Sequence, residues 1–228
     1  PASGAWSVEL LAPWMIVIGI LIHTAVPPFS SWITDAYSES SVVGMLFLSA
    51  FSTHSFVFIL MLLFPGNQFL MFIGLGMVFY GIIYAAFENH MLRMLMFSVV
   101  SQTGLMITAI GIGSKLALSG VAVFAFSHIL CIVLLVMTAG SVIFMTGKHH
   151  YTELGGLHRS MKVTTFCAII GALTVLAFPL TAGFSSRSII TAAAHSERFQ
   201  VIWYLLAVAS AGYFIACRFK ISLVCLLS

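Results

Sequence analysis

Long apolar runs alternate with short polar ones along the whole chain. Runs of this kind are long enough to cross about 30 Å of hydrocarbon as helices, at 1.5 Å per residue. Short turn signals such as FPGN (64–67) separate neighbouring runs. The pattern predicts an all-α, polytopic transmembrane bundle of about seven spans. The predicted spans are 9–26, 42–63, 68–87, 94–113, 118–146, 163–182 and 199–217.

The composition supports a membrane location. Hydrophobic residues make up 61% of the chain and charged residues 7%, whereas soluble domains contain about 45–50% and about 25%. The apolar segments recur over the full length, which a signal peptide would not explain. A net charge of +3 is too small to favour nucleic acid as a partner. The chain is therefore predicted to be an integral, multi-pass protein of the lipid bilayer.

Two of the predicted spans contain matching interruptions. The segment GILIHTAVPPFSSWITDA (19–36) and the segment FPLTAGFSSRSII (178–190) each join an apolar run to an aromatic residue and a Ser-Ser pair. Irregular backbone inside a membrane is tolerated where protein or internal water satisfies it, and paired interruptions are typical of transporter repeats and their binding sites. The predicted helix breaks are Pro27, Pro28, Pro179 and Gly183.

Few ionisable residues fall within the predicted spans, and these are the candidates for chemistry. A charge at the bilayer centre costs about 3 kcal/mol or more, so such residues usually face the interior of a bundle. Histidine is the least costly, because its ordinary pKa of about 6.5 lets it be neutral and take up a proton transiently. The ionisable residues lie on different predicted helices at similar depth, and this placement predicts a lateral proton path. Its members are His23, His54, His128 and Arg187.

Simpler interpretations of the histidines stay open. Each ring could form one hydrogen bond to a backbone carbonyl or a nearby serine, such as Ser127 beside His128. Two rings facing each other could also ligate a haem, although the chain has no CxxCH attachment motif. No metal-ligand spacing and no cofactor motif is found, so the sequence predicts neither a metal nor a cofactor.

Asp35 and Glu39 follow the first interruption in SSWITDAYSESS (30–41). They are candidates for a proton entrance or for a contact with another subunit. The alternative is a solvated connecting loop in which they serve as helix caps.

Five segments, in order along the chain, resemble the landmarks of one family. That family is the antiporter-like membrane subunits shared by respiratory complex I (NADH:quinone oxidoreductase) and multisubunit Na⁺/H⁺ antiporters. Within it, the sequences of these segments most resemble the D-type subunits of the antiporter branch. The segments are PPFSSWITDAY (27–37), FLSAFSTHSFVF (47–58), MFSVVSQTG (96–104), YTELGGLHRSM (151–161) and FPLTAGFSSRSIITAAA (178–194).

The resemblance implies a bundle of two inverted repeats, each with a broken helix that carries a key ionisable residue. Family members are about twice as long as this chain. Residues 1–228 would therefore form a single antiporter-like domain, a fragment or reduced member, with the end of the first repeat at 9–63 and most of the second at about 68–217.

The departures from the family pattern concern the ionisable positions. His23 stands where the family usually has a lysine, His54 stands where the antiporter branch has another, and Ile132 stands where a lysine commonly follows His128 by one helical turn. Arg187 stands where the family has lysine or glutamate. Histidine can pass protons, isoleucine cannot, and arginine stays charged at physiological pH.

The resemblance predicts a proton- or cation-translocating subunit of a multisubunit complex, in a bacterial plasma membrane or the inner membrane of an energy-coupling organelle. Its expected partners are other membrane subunits, the lipid bilayer and H⁺, with Na⁺ or K⁺ as candidate ions. A first alternative is a membrane-arm subunit of an NADH:quinone oxidoreductase-type complex, with no redox centre in this chain and hence a non-catalytic role. A second alternative is a degenerate scaffold that transports nothing, which Ile132 favours.

Overall fold

The computed structural model describes residues 8–156 and 160–226, with side chains over 13–156 and 160–213. Residues 157–159, within the fourth family-like segment, lie outside the described part. The described residues fold into helices joined by short connections, as the apolar pattern predicts. In chain order the helices are α1 (Val8–His23), α2 (Ser31–Glu39), α3 (Val42–Leu63), α4 (Gln68–Phe87), α5 (Met91–Ile112), α6 (Lys115–Thr146), α7 (Lys162–Val175), α8 (Ala182–Ser196) and α9 (Gln200–Leu226).

The predicted spans match these helices, with two informative differences. Helices α3 to α6 are long and apolar enough to cross a membrane, whereas α1, α7 and α9 contain shorter apolar stretches. The first and sixth predicted spans extend to residues 26 and 182, but α1 ends at His23 and α7 ends at Val175. Hydropathy continues through both interruptions, so an apolar pattern alone cannot locate where a helix stops.

Both interruptions contain backbone that ordinary residues rarely adopt. Ala25 has φ +61° in the first, and Ala177 and Leu180 have φ +52° and +77° in the second. Such conformations cost about 1–3 kcal/mol each and cluster at functional sites. Pro27, Pro28 and Pro179 lie within these interruptions. Gly183 does not, because it is inside α8, where a Cβ would collide with the carbonyl oxygen of Thr174.

The two broken helices run in opposite directions. The ion pair between Asp35 and Arg93 places the end of α2 beside the start of α5, at what we call the Arg93 face. Helices α1 and α2 therefore run toward this face, and α7 starts from it. Gly120, near the start of α6 at the opposite face, lies against Ile190 of α8, so α7 and α8 run away from the Arg93 face. Inverted repeats would produce this arrangement.

Helix α5 is the centre of the bundle. Its apolar stretch is buried along its whole length, and it packs most extensively on α4. The contact is close because glycines lie in the interface on both helices, so that the backbones approach each other directly. A polar side chain in the middle of α5 therefore lies in the interior of the protein.

Candidate functional site

Two of the predicted histidines form a direct pair in the centre of the bundle. The Nε2 atom of His54 on α3 and the Nδ1 atom of His128 on α6 are 2.9 Å apart, a hydrogen bond between two imidazoles. The exposed fractions of the two residues are 6% and 4%. The sequence predicts only that they lie at similar depth, and the fold brings them into contact.

A π-helical segment, Leu48–Ser52, ends two residues before His54 in α3. π-Helical turns are rare and occur frequently at functional sites. Here the backbone carbonyls of Ser49 and Ala50 lie near the His54 ring, but neither forms a hydrogen bond with His54 Nδ1. The local sequence LSAFS gives no signal that distinguishes this turn from ordinary α-helix.

Arg187 lies on α8, next to the second interruption, and is 4% exposed. Its Nη2 donates to the carbonyl oxygen of Val175 at 3.1 Å, and Val175 is the last residue of α7. Helix C-termini have free carbonyls and a partial negative charge. The interruption thus provides an acceptor for the buried guanidinium, which a continuous helix would not.

Aromatic and amide groups complete the surroundings of Arg187. The guanidinium carbon lies 4.7 Å from the centre of the Tyr213 ring and 6.0 Å from that of Phe124, within the range of cation–π attraction. Its Nη2 also donates to Oε1 of Gln102 at 2.9 Å. Arg187 is close enough to His128 for a Coulombic interaction between them.

Gln102 is a site residue to which sequence reasoning assigned no role. It lies halfway along α5 and is 1% exposed. Its segment, MFSVVSQTG, is one of the five family-like segments. The available signal is the amide itself, because a polar side chain in the middle of an apolar span is costly unless it has a partner.

A small cavity separates the histidine pair from α7 and α8. It is partly open and has room for about one water molecule. Ser127 Oγ lies 3.5 Å from Ser186 Oγ, across the α6–α8 contact nearby. Ile132, one turn beyond His128, is buried in the apolar core. The polar residues lining the cavity are Gln102, Ser127, His128, Cys131 and Thr174.

His23 lies apart from the buried pair. It is the last residue of α1 and is exposed in the described chain. Its ring stacks on Phe56, with centroids 4.1 Å apart, and meets the edge of Trp32 at 6.0 Å. Of the four residues of the predicted path, the structure groups His54, His128 and Arg187, and it leaves His23 at the surface.

The two acidic candidates lie at the Arg93 face. Asp35 accepts a hydrogen bond from Nη2 of Arg93 at 2.5 Å, and both side chains are about half exposed. Exposed ion pairs of this kind contribute about 0–1 kcal/mol to stability. Glu39 is exposed at the end of α2.

The geometry constrains the metal and haem interpretations. Among the described residues, no group of three potential ligand side chains is placed to hold a metal ion. A metal bound by two imidazoles lies about 2 Å from each nitrogen. Two nitrogens on opposite sides of a haem iron would therefore be about 4 Å apart, whereas the His54 and His128 nitrogens that face each other are 2.9 Å apart.

Comparisons with known proteins place the chain in a family. The family described as NADH:quinone oxidoreductase/Mrp antiporter, TM, matches residues 3–215. NADH-quinone oxidoreductase subunit N of Desulforudis audaxviator is 30% identical over 191 residues, which cover 79% of this chain and 38% of that protein. F(420)H(2) dehydrogenase subunit M of Methanosarcina mazei is 29% identical over 209 residues, covering 87% and 42%.

Solved structures share the fold. A chain of the Mrp complex from Dietzia sp. DQ12-45-1b superposes with a TM-score of 0.88 at 17% identity, covering 96% of this chain and 43% of that one. A chain of the membrane-bound sulfane sulfur reductase, an archaeal respiratory membrane complex, superposes with a TM-score of 0.85 at 22% sequence identity. The match covers 91% of this chain and 45% of that one. This chain spans less than half the length of these relatives, and the likeness to the D-type antiporter subunits stays a prediction. It is an integral membrane protein that belongs to the NADH:quinone oxidoreductase/Mrp antiporter transmembrane family.

Proposed function

We propose that this chain is a proton-translocating, antiporter-like subunit of a larger membrane complex, and that the His54–His128 pair carries the proton. The observation that supports this most is the buried hydrogen bond between the two imidazoles, 2.9 Å long. An imidazole can accept a proton at one nitrogen and release another from the second. Two rings in direct contact can therefore pass a proton without either of them leaving its place.

Arg187 has a different role in this proposal. A guanidinium stays charged at any physiological pH, so it provides a fixed positive charge beside the pair rather than a relay step. Coulombic interactions are strong in a weakly polarisable interior. An excess proton on His128 is repelled by Arg187, which favours its onward transfer to His54.

The rest of the complex follows from the family. The relatives are named as subunits of an oxidoreductase, a dehydrogenase and, in one case, a Na(+)/H(+) antiporter. We propose that this chain, with the end of one repeat at 9–63 and most of the second at 68–217, works beside other membrane subunits. In this setting His23 and the ion-paired Asp35, with Glu39, face a subunit or the entrance of the proton path. The transported ion is H⁺, with Na⁺ or K⁺ as the exchanged ion in an antiporter.

Two other roles have an observation in their favour. The resemblance to oxidoreductase subunit N at 30% identity favours a membrane-arm subunit of an NADH:quinone oxidoreductase-type complex. The buried Ile132, at a position where the family has lysine, favours a scaffold without transport.

The test is proton flux into vesicles that contain a pH-sensitive dye. The protein is purified with the partners that remain bound and is reconstituted as wild type, as His54→Ala and as Ser55→Ala. Ser55 is the matched control because it is the next residue on α3, is exposed, and donates its hydroxyl to the Phe51 carbonyl of its own helix.

We expect flux above that of empty vesicles in the wild type and in Ser55→Ala. A loss of roughly 100-fold is expected in His54→Ala, the usual contribution of one positioned proton-transfer group. Absence of flux in a folded wild-type complex would instead support the scaffold.

A further inference from the structure

Two buried polar atoms beside the cavity have no hydrogen-bond partner among the described residues. They are Nε2 of His128 and Nε2 of Gln102. Each residue is more than nine-tenths buried, each lines the cavity, and each uses its other polar atom, His128 toward His54 and Gln102 toward Arg187. Buried polar atoms almost always have a partner, so both point to a ligand held between α5 and α6.

The size and chemistry of the cavity fit one class of ligand. The space is sufficient for about one water molecule. Buried waters typically make two to four hydrogen bonds. The Gln102 amide offers a donor, and the Ser127 hydroxyl already donates to the Phe124 carbonyl, so it offers an acceptor. Arg187 nearby disfavours a resident metal cation.

The acceptors around the pair and its one hydrogen bond indicate the tautomer of each ring. The carbonyls of Ser49 and Ala50 face the His54 ring, and carbonyls accept hydrogen bonds but cannot donate them. We assign the hydrogen to Nδ1 of His54, which has acceptors near it but completes no hydrogen bond among the described residues. Its Nε2 then accepts from Nδ1–H of His128, which leaves Nε2 of His128 without a hydrogen and able to accept.

We propose that Gln102 positions a water molecule, or the hydrated proton, against Nε2 of His128. The imidazole pair then relays a proton in one direction first, from His128 to His54. The inference deepens the proposed function and rests on it for the direction of transport. Gln102 acts as a positioning residue, because it touches the water and not the imidazoles.

The steps balance in atoms and charge. An excess proton that reaches the cavity water passes to Nε2 of His128, and a neutral water is left. The N–H bond at Nδ1 of His128 then breaks and a new one forms at Nε2 of His54. His54 then releases its Nδ1 proton, on the side of the Ser49 and Ala50 carbonyls, to a second water molecule that carries it onward. Both rings end as the opposite tautomer, so a second proton can follow only after the rings have reoriented.

The experiment is solid-state ¹⁵N NMR of histidine side chains in the full-length protein, with the partners that remain bound, in lipid bilayers. The His128 signals are assigned by their loss in His128→Gln. We expect Nε2 of His128 to lack a hydrogen and to show magnetisation transfer from water, and Nδ1 of His54 to carry one. A hydrogen on Nε2 of His128 in the neutral pair would overturn the assignment.

The role of Gln102 is tested with Gln102→Met, which has a similar length and no donor. We expect the water contact at His128 to disappear while the His54–His128 coupling persists, and proton flux to fall about tenfold, the change equivalent to one buried hydrogen bond. The matched control is Thr103→Val, which should keep the water contact, because Thr103 is the next residue on α5, is buried and donates to its own helix at Val100 but does not line the cavity. A water contact that survives in Gln102→Met would overturn the inference.

The two proposals can fail separately. Absence of flux in the wild type with the expected tautomers and water contact would refute transport and support the water site. Normal flux with a hydrogen on Nε2 of His128 would refute the water site and its direction, and would leave transport standing.

Discussion

At the scale of residues, the chemistry of the site depends on which side chains can change charge. His54 and His128 can, and their mutual hydrogen bond gives a proton two adjacent positions. Arg187 cannot, and its contacts with a carbonyl, an amide and two rings hold one charge in place. Neutral imidazoles add no fixed charge to that of Arg187, so under the proposed function a second buried positive charge is present only while a proton passes.

A second group of histidines, at the Arg93 face, predicts a measurable dependence on pH. His90 precedes α5, and its ring stacks on His149 and meets His150 edge-on. The backbones are joined as well, because Met91 donates to the His149 carbonyl and Tyr151 to that of Asn89. We call this contact between the α4–α5 and α6–α7 connections the histidine clasp.

Partial burial lowers the pKa of His90 below its ordinary 6.5, and the positive charges that His149, His150 and Arg93 can carry lower it further, while Glu88 opposes them. The open clasp therefore binds a proton more tightly than the closed one. As the pH falls below about 6.5 the open state gains protons first, so the clasp loses stability. Above that pH the stabilising contribution of the closed clasp is fully present.

Hydrogen exchange at the Met91 and Tyr151 amides measures this opening. We expect protection, corrected for intrinsic exchange, to decrease as the pH falls from about 8 to about 5. His90→Asn keeps an N-cap for α5 and removes one titrating group, so its protection should depend less on pH. An unchanged pH dependence in this variant would show that His90 is not the cause.

At the scale of elements, the interface between α4 and α5 holds the site in place. Gly74 and Gly81 on α4 are seven residues apart, as are Gly104 and Gly111 on α5, so each pair returns to the same face after about two turns. At all four positions a Cβ would come within 3 Å of the other helix. Association of helices in lipid depends on such close contact. Because α5 carries Gln102, its position relative to α4 and α6 decides the geometry of the cavity.

Substitution of one of these glycines tests the interface. In Gly74→Ala the new methyl group would meet the backbone nitrogen of Thr108 at 2.5 Å and the Gly104 carbonyl oxygen at 2.7 Å, and backbone cannot move aside as a side chain can. We expect a loss of about 1–3 kcal/mol in stability, measured by thermal or denaturant unfolding in detergent.

Gly76→Ala is the control, because it lies on the same helix with nothing within 4 Å of a Cβ. It should unfold like the wild type. If the two variants were equally stable, the close contact of α4 and α5 would not hold the bundle together.

At the scale of the whole molecule, the sequence predicts the helical bundle, the two broken helices and three of the grouped site residues. The recurrence of apolar runs is sufficient to predict the bundle, and the prolines within apolar runs are sufficient to predict the two breaks. The sequence does not show that His54 and His128 are in contact. That contact depends on how α3 and α6 are rotated about their axes, and the π-helical segment changes the rotation of α3. The sequence also does not separate His23 from the pair, since depth along a helix says nothing of the direction a side chain faces.

The proposed function requires that His54 and His128 act as one proton-carrying unit. A double-mutant cycle of proton flux in vesicles tests this, with His54→Gln, His128→Gln and the double variant, and with His149→Gln of the clasp as a control histidine. Glutamine keeps a polar side chain and cannot take up a proton at this pH. If the pair is one relay, each single variant removes the same step, so the double variant loses no more flux than either single one. Losses that multiply in the double variant, or single variants that transport like the wild type, would refute the relay.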